Sequence, residues 1–173
     1  QTVPNGDNSL VPPLVPPFRA RTGVQYKPGK ILVLSGIPAA GVEDNRARTF
    51  DATAIGSATW VPRDGMAPVL DPNILVLPNG KVLVLGNDCP QIWDPSGNNN
   101  NGSWTVSTES TCELDKETEA RGYHSTAMLL PDARVLTGGG GSNKLLVYCP
   151  PYLFNGDALA SRPTITRAPA SDV

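Results

Sequence analysis

Short apolar runs separated by turn residues pattern the chain. Ile31 to Leu34, Ile74 to Leu77 and Val82 to Leu85 are strand-sized, and no run approaches the roughly 20 apolar residues that a membrane-spanning helix needs. The runs recur in a fixed setting, a turn followed by an apolar strand that ends at glycine. It reads Lys27-Pro28-Gly29-Lys30 then Ile31-Leu32-Val33-Leu34-Ser35-Gly36. It reads again as Leu77-Pro78-Asn79-Gly80-Lys81 then Val82-Leu83-Val84-Leu85-Gly86, and a third time as Leu130-Pro131-Asp132-Ala133-Arg134 then Val135-Leu136-Thr137-Gly138-Gly139. Lys30, Lys81 and Arg134 are spaced by 51 and then 53 residues. Downstream of each glycine an aromatic returns, at Phe50-Asp51, Trp93-Asp94-Pro95 and Tyr148-Cys149-Pro150, and the first two are followed by Trp60 and Trp104.

A period of about 50 residues with strand, glycine, strand, aromatic and tryptophan predicts an all-β fold of kelch-like β-propeller blades, each a four-stranded antiparallel unit. The three units fall at approximately 18–66, 67–120 and 121–173. One small twisted sheet cannot bury both its faces, so blades stack face to face and aromatics fill the wedge between them. The competing fold is a β-sandwich, in which the same turns would be ordinary hairpins. Seventeen glycines and eighteen prolines among 173 residues break helices repeatedly, which either β fold accommodates. Propellers have about four to eight blades, so three units make an incomplete propeller with open sheet faces and edges. The expected partners are missing propeller blades or other copies of the chain, in an oligomer or a filament.

Residues 1–17, ending Val11-Pro12-Pro13-Leu14-Val15-Pro16-Pro17, lack alternation and predict an extended polyproline-like strap or linker. The chain opens on Gln1 without a signal-like segment. The expectation is that processing removed one, or that the chain is a piece of something longer.

Charge narrows the function classes. Fourteen Lys and Arg against sixteen Asp and Glu leave no basic face for a phosphate backbone or an anionic membrane, so neither nucleic acid nor membrane is an expected partner. Cys89 and Cys112 both belong to the second unit, where neighbouring strands could bring them into disulfide range, leaving Cys149 as a buried thiol; three reduced cysteines are the alternative. Asn101-Gly102-Ser103 is an N-glycosylation acceptor triplet at the tip of an asparagine-rich loop, in keeping with a secreted, extracellular protein. The acidic stretch from Glu109 to Glu119 lacks the glycine turn and terminal glutamate of a calcium loop and reads as a solvated loop.

The candidate chemistry lies in the third unit. Arg121-Gly122-Tyr123-His124-Ser125-Thr126-Ala127-Met128-Leu129-Leu130-Pro131-Asp132-Ala133-Arg134, the glycines that follow, Val147-Tyr148-Cys149-Pro150-Pro151-Tyr152-Leu153-Phe154-Asn155-Gly156 and Arg162-Pro163-Thr164-Ile165 together resemble the closing part of the propeller in the galactose oxidase and glyoxal oxidase family. The resemblance implies a secreted radical-copper oxidase that takes two electrons from a primary alcohol or aldehyde and passes them to dioxygen. By resemblance, Tyr123 is the axial tyrosine that accepts the substrate proton and His124 is a copper ligand. Neutral imidazole suits copper, and a phenolate at the metal can serve as a positioned base. Adjacent strand residues point to opposite faces, so the two rings can converge only where the strand twists or bulges.

The family also uses a second histidine and a tyrosine crosslinked to cysteine. His124 is the sole histidine of this chain, and Asp71 stands where the second unit would offer a tyrosine. The expectation is therefore a family cofactor of copper, no copper in this isolated chain, and no activity from it alone. The packing alternative places Tyr123 between blades and His124 on a loop carbonyl. The functional alternative is a non-catalytic structural or carbohydrate-contacting secreted propeller that self-assembles.

Overall fold

A computed structural model describes residues 20–35, 47–54, 57, 59–69, 71–86, 90–105, 121, 123–156 and 158–160. The strap expected over residues 1–17, the acidic stretch at 109–119 and the half-cystine candidates Cys89 and Cys112 lie outside the described residues.

The fold is all-β, built as incomplete propeller blades. The first sheet holds β1 (Ala20–Lys27), β2 (Lys30–Ser35), β3 (Ala47–Asp51) and β4 (Val61–Pro62), antiparallel and in chain order. The second repeats that topology with β5 (Asn73–Val76), β6 (Val82–Leu85), β7 (Gln91–Asp94) and β8 (Ser103–Thr105). The third has three described strands, β9 (Ser125–Leu129), β10 (Val135–Gly139) and β11 (Ser142–Tyr148). A two-stranded hairpin, β12 (Phe154–Asn155) with β13 (Ala158–Leu159), follows.

The repeated turns of the sequence are the hairpins joining the first two strands of each sheet. In the second sheet Gly80 N–H donates to Leu77 O at 2.9 Å and Lys81 N–H to Asn79 Oδ1 at 3.1 Å; in the third, Ala133 N–H donates to Leu130 O at 2.9 Å and Arg134 N–H to Asp132 Oδ1 at 3.1 Å. Each turn needs a left-handed residue in its fourth place, with φ +78° at Gly80 and +68° at Ala133.

First strands pack side by side, β1 on β5 and β5 on β9, as wedges arranged about one axis require. The period of two along β6 then decides the core. Val82 and Val84 join Leu32, Leu34 and Trp93 in a cluster shared with the first sheet, whereas Leu83 and Leu85 join Val135 and Tyr148 in a cluster shared with the third. All four β6 side chains are at most 1% exposed. A two-sheet sandwich has no sheet covered on both faces in this way, so the sandwich alternative is set aside.

Trp93 fills the first wedge. Its ring meets Tyr26 edge to face at 4.8 Å between centroids and Trp104 at 6.3 Å. Gly102 lies flat against the indole at φ +87°, where a Cβ would sit 2.4 Å from Trp93 Nε1. A second recurring device closes the outer part of each of the first two sheets. Lys30 pairs with Asp51, and Lys81 Nζ lies 2.9 Å from Asp94 Oδ2. Asp51 also accepts from Thr53 N and Oγ1 at 3.0 and 2.6 Å, and Asp94 from Ser96 N and Oγ at 2.9 and 2.6 Å. These donors, Lys30 foremost for Asp51 and Ser96 foremost for Asp94, hold both carboxyls down at about 2. In the third sheet Cys149 stands in the aspartate's place, and Arg134 turns to Asp132 at 2.6 Å instead.

Candidate functional site

The starts of the three inner strands lie together. Arg21 of β1 reaches Asp71, just ahead of β5, at 3.4 Å, and Asn73 Nδ2 of β5 donates to Ser125 Oγ of β9 at 2.7 Å. Tyr123 and His124 immediately precede Ser125 and so stand at this shared mouth.

His124 is in the left-handed region at φ +63°, an uncommon conformation for a side chain of its size. That single rotation removes the alternation that would send neighbouring side chains to opposite faces. The Tyr123 and His124 rings lie side by side, with centroids 3.8 Å apart and planes inclined by 55°. Tyr123 is 70% exposed, so it does not pack between blades as the packing alternative required.

Two residues hold the pair in place. Gly139, at φ +78°, passes so close to the His124 backbone that a Cβ there would lie 2.4 Å from His124 O. Arg121 is buried, 1% exposed, with Nη1 donating to Gly139 O at 2.9 Å and Nη2 to Lys144 O at 3.3 Å. These carbonyl oxygens stand in for part of the guanidinium's water, and through them it pins the β10–β11 turn on which the pair rests. Neither Arg121 nor Gly139 was singled out from sequence. The signal was present in the run of four glycines at Gly138 to Gly141, more than a simple hairpin needs, and in an arginine two positions before the tyrosine.

The pair offers one imidazole nitrogen and one phenol oxygen. Among the described residues, no group of three or more His, Cys, Asp or Glu side chains is placed to hold a metal ion. Cys149 is half-buried and free. Asn101 is exposed at the end of the turn Gly97–Asn100, in which Asn98, Asn99 and Asn100 all have positive φ, a conformation asparagine tolerates better than other side chains. Its carbonyl accepts from Arg63 Nη1 at 2.6 Å. Among the described residues no helix is long and apolar enough to cross a membrane.

No protein-family model matches the chain. Over 62 residues it is 44% identical to the galactose oxidase of Gibberella zeae, and equally to that of Gibberella zeae strain PH-1, the matched part being 31% of this chain. The chain spans 9% of the length of these relatives. Part of the chain is thus related to galactose oxidase.

Proposed function

We propose that the chain is a segment of an extracellular kelch-type propeller of the radical-copper oxidase kind, corresponding to its closing blades. Tyr123 and His124 are its share of a copper site whose remaining ligands come from further chain. The observation that carries this is the side-by-side placing of the two rings by His124's left-handed backbone, in a chain partly related to galactose oxidase. A nitrogen and an oxygen donor suit copper, which when bound would supply one-electron redox chemistry. His124 would contribute its neutral imidazole. Tyr123, exposed at the mouth, would receive the proton of a primary alcohol or aldehyde substrate at its phenolate oxygen. Arg121 and Gly139 would keep both rings in register. Two donors are too few for a working centre, so the chain by itself is inactive. The exposed Asn101 acceptor is in keeping with secretion.

Copper titration of the chain, followed by electron paramagnetic resonance, tests this. Weak binding with the signature of a single imidazole is expected, lost in His124→Ala and weakened in Gly139→Ala, with no peroxide formed from galactose or glyoxal. Binding indifferent to His124, or peroxide from the chain alone, contradicts it.

A second reading, a non-catalytic structural or carbohydrate-contacting propeller that self-assembles, draws on the open apolar face of the third sheet. There Met128, Leu145 and Val147 are 59, 70 and 45% exposed. Light scattering that gave a monomer at all concentrations would count against it.

A further inference from the structure

Between the outer parts of the first and second sheets lies a cleft of about 460 Å³, a size typical of small-molecule sites. Its walls come from the β1–β2 hairpin and the end of β3 on one side, and from Pro95 and Asn100 on the other. The lining is cationic. Lys27, Lys30 and Arg63 face a single carboxylate, Asp51, which is already paired with Lys30. Among the described residues Lys27 has no carboxylate partner. Arg63 is held in position by its own bonds, Nε donating to Thr49 Oγ1 at 2.9 Å and Nη1 to Asn101 O at 2.6 Å. Neither acceptor carries a charge that would neutralise the guanidinium.

The phenol of Tyr26 stands among these groups. Burial pushes its ionisation up, while Arg63 and Lys30 pull it down, which places both cations within electrostatic reach of one point in the cleft. Near that point are the hydroxyl groups of Tyr26 and Thr59, while Thr49, whose Oγ1 accepts from Arg63, and Phe50 are buried in the cleft's floor. Such a lining offers charge for one anionic group and hydrogen bonds for hydroxyls beside it.

We propose that this cleft binds a hydroxylated anion of monosaccharide size, its carboxylate or phosphate held by Lys27, Lys30 and the oriented Arg63. The proposal is independent of the Tyr123–His124 pair and survives if the copper reading fails. With Nε and Nη1 engaged, the fixed guanidinium of Arg63 has Nη2 left to donate to either anionic group. Asp51 opposes the ligand's charge, so the site's affinity is set by the balance between it and the three cations.

Amide chemical shifts of the full chain, followed while sodium glucuronate, glucose 6-phosphate or glucose is added at low salt, test the proposal. Saturable shifts at Phe50, Asp51 and Arg63 are expected with one or both anions, not with glucose, and are expected to weaken as salt is raised. A response to glucuronate alone identifies the recognised group as carboxylate, a response to glucose 6-phosphate alone as phosphate, and a response to both shows that the cleft accepts either anionic group. Lys27→Gln should weaken binding about threefold and Asp51→Asn should tighten it about threefold, magnitudes usual for exposed charge pairs. Because a damaged fold does not bind more tightly, the aspartate variant separates recognition from structure. Equal binding of glucose, weaker binding by Asp51→Asn, or no saturable shift at the cleft overturns the proposal.

Discussion

The second and third sheets carry the same hairpin and the same run of apolar residues after it, yet their apolar side chains meet different fates. On β6 both faces are covered, Val82 and Val84 by the first sheet and Leu83 and Leu85 by the third. In the third sheet Val135 and Tyr148 are buried against the second, while Met128, Leu145 and Val147 on the other face stay open to solvent. Burial in this fold is therefore a property of neighbours more than of the strand's own composition. The open face has the makings of an inter-blade surface without a blade on it, which is what a segment of a larger ring would present.

The sharpest break of that comparison is a matched pair of truncations. Leu83→Ala leaves a cavity between two sheets and should cost about 2–5 kcal/mol, whereas Leu145→Ala removes an exposed side chain and should change stability by less than about 0.5 kcal/mol. Urea denaturation of both variants measures the difference. Similar losses would mean that the third sheet's outer face is covered within the chain itself.

A smaller effect, opposite in sign, sharpens the likeness of the two hairpins. Ala133 occupies the left-handed position that glycine fills at Gly80, and an L side chain is strained there. Relief of that strain outweighs the greater freedom of glycine in the unfolded chain, so Ala133→Gly should stabilise by about 0.5–1 kcal/mol. The Tyr152 hydroxyl, which donates to Ala133 O at 2.5 Å, keeps its acceptor in the variant. A loss of stability would show that the turn is held by something other than its backbone geometry.

The sequence carried a good part of this. The turns at Pro28-Gly29, Pro78-Asn79-Gly80 and Pro131-Asp132-Ala133 are all hairpins between first and second strands, because proline and a left-handed residue leave the chain few other choices there. The recurring aromatics mark third strands, and Trp93 fills the wedge between two sheets as the layer-packing argument required. What could not be read was anything that depends on one backbone angle or on a contact distant along the chain. Tyr123 and His124 were legible as a pair, yet their convergence rests on His124's φ and on the close pass of Gly139. Buried Arg121 bonds to carbonyls 18 and 23 residues away. The cleft at Tyr26 and Arg63 gathers residues from two sheets, and no local motif announces it. The proposed half-cystines Cys89 and Cys112 fall outside the described residues.

The most direct test of blades set side by side is the pattern of nuclear Overhauser contacts from β6. The methyls of Val82 and Val84 should contact the first sheet's Leu32 and Leu34 and the ring of Trp93, while in the same molecule the methyls of Leu83 and Leu85 contact Val135 and Tyr148. Contacts from all four residues to a single neighbouring sheet, or the absence of either set, would contradict the fold and with it the placing of Tyr123 and His124 at a shared mouth.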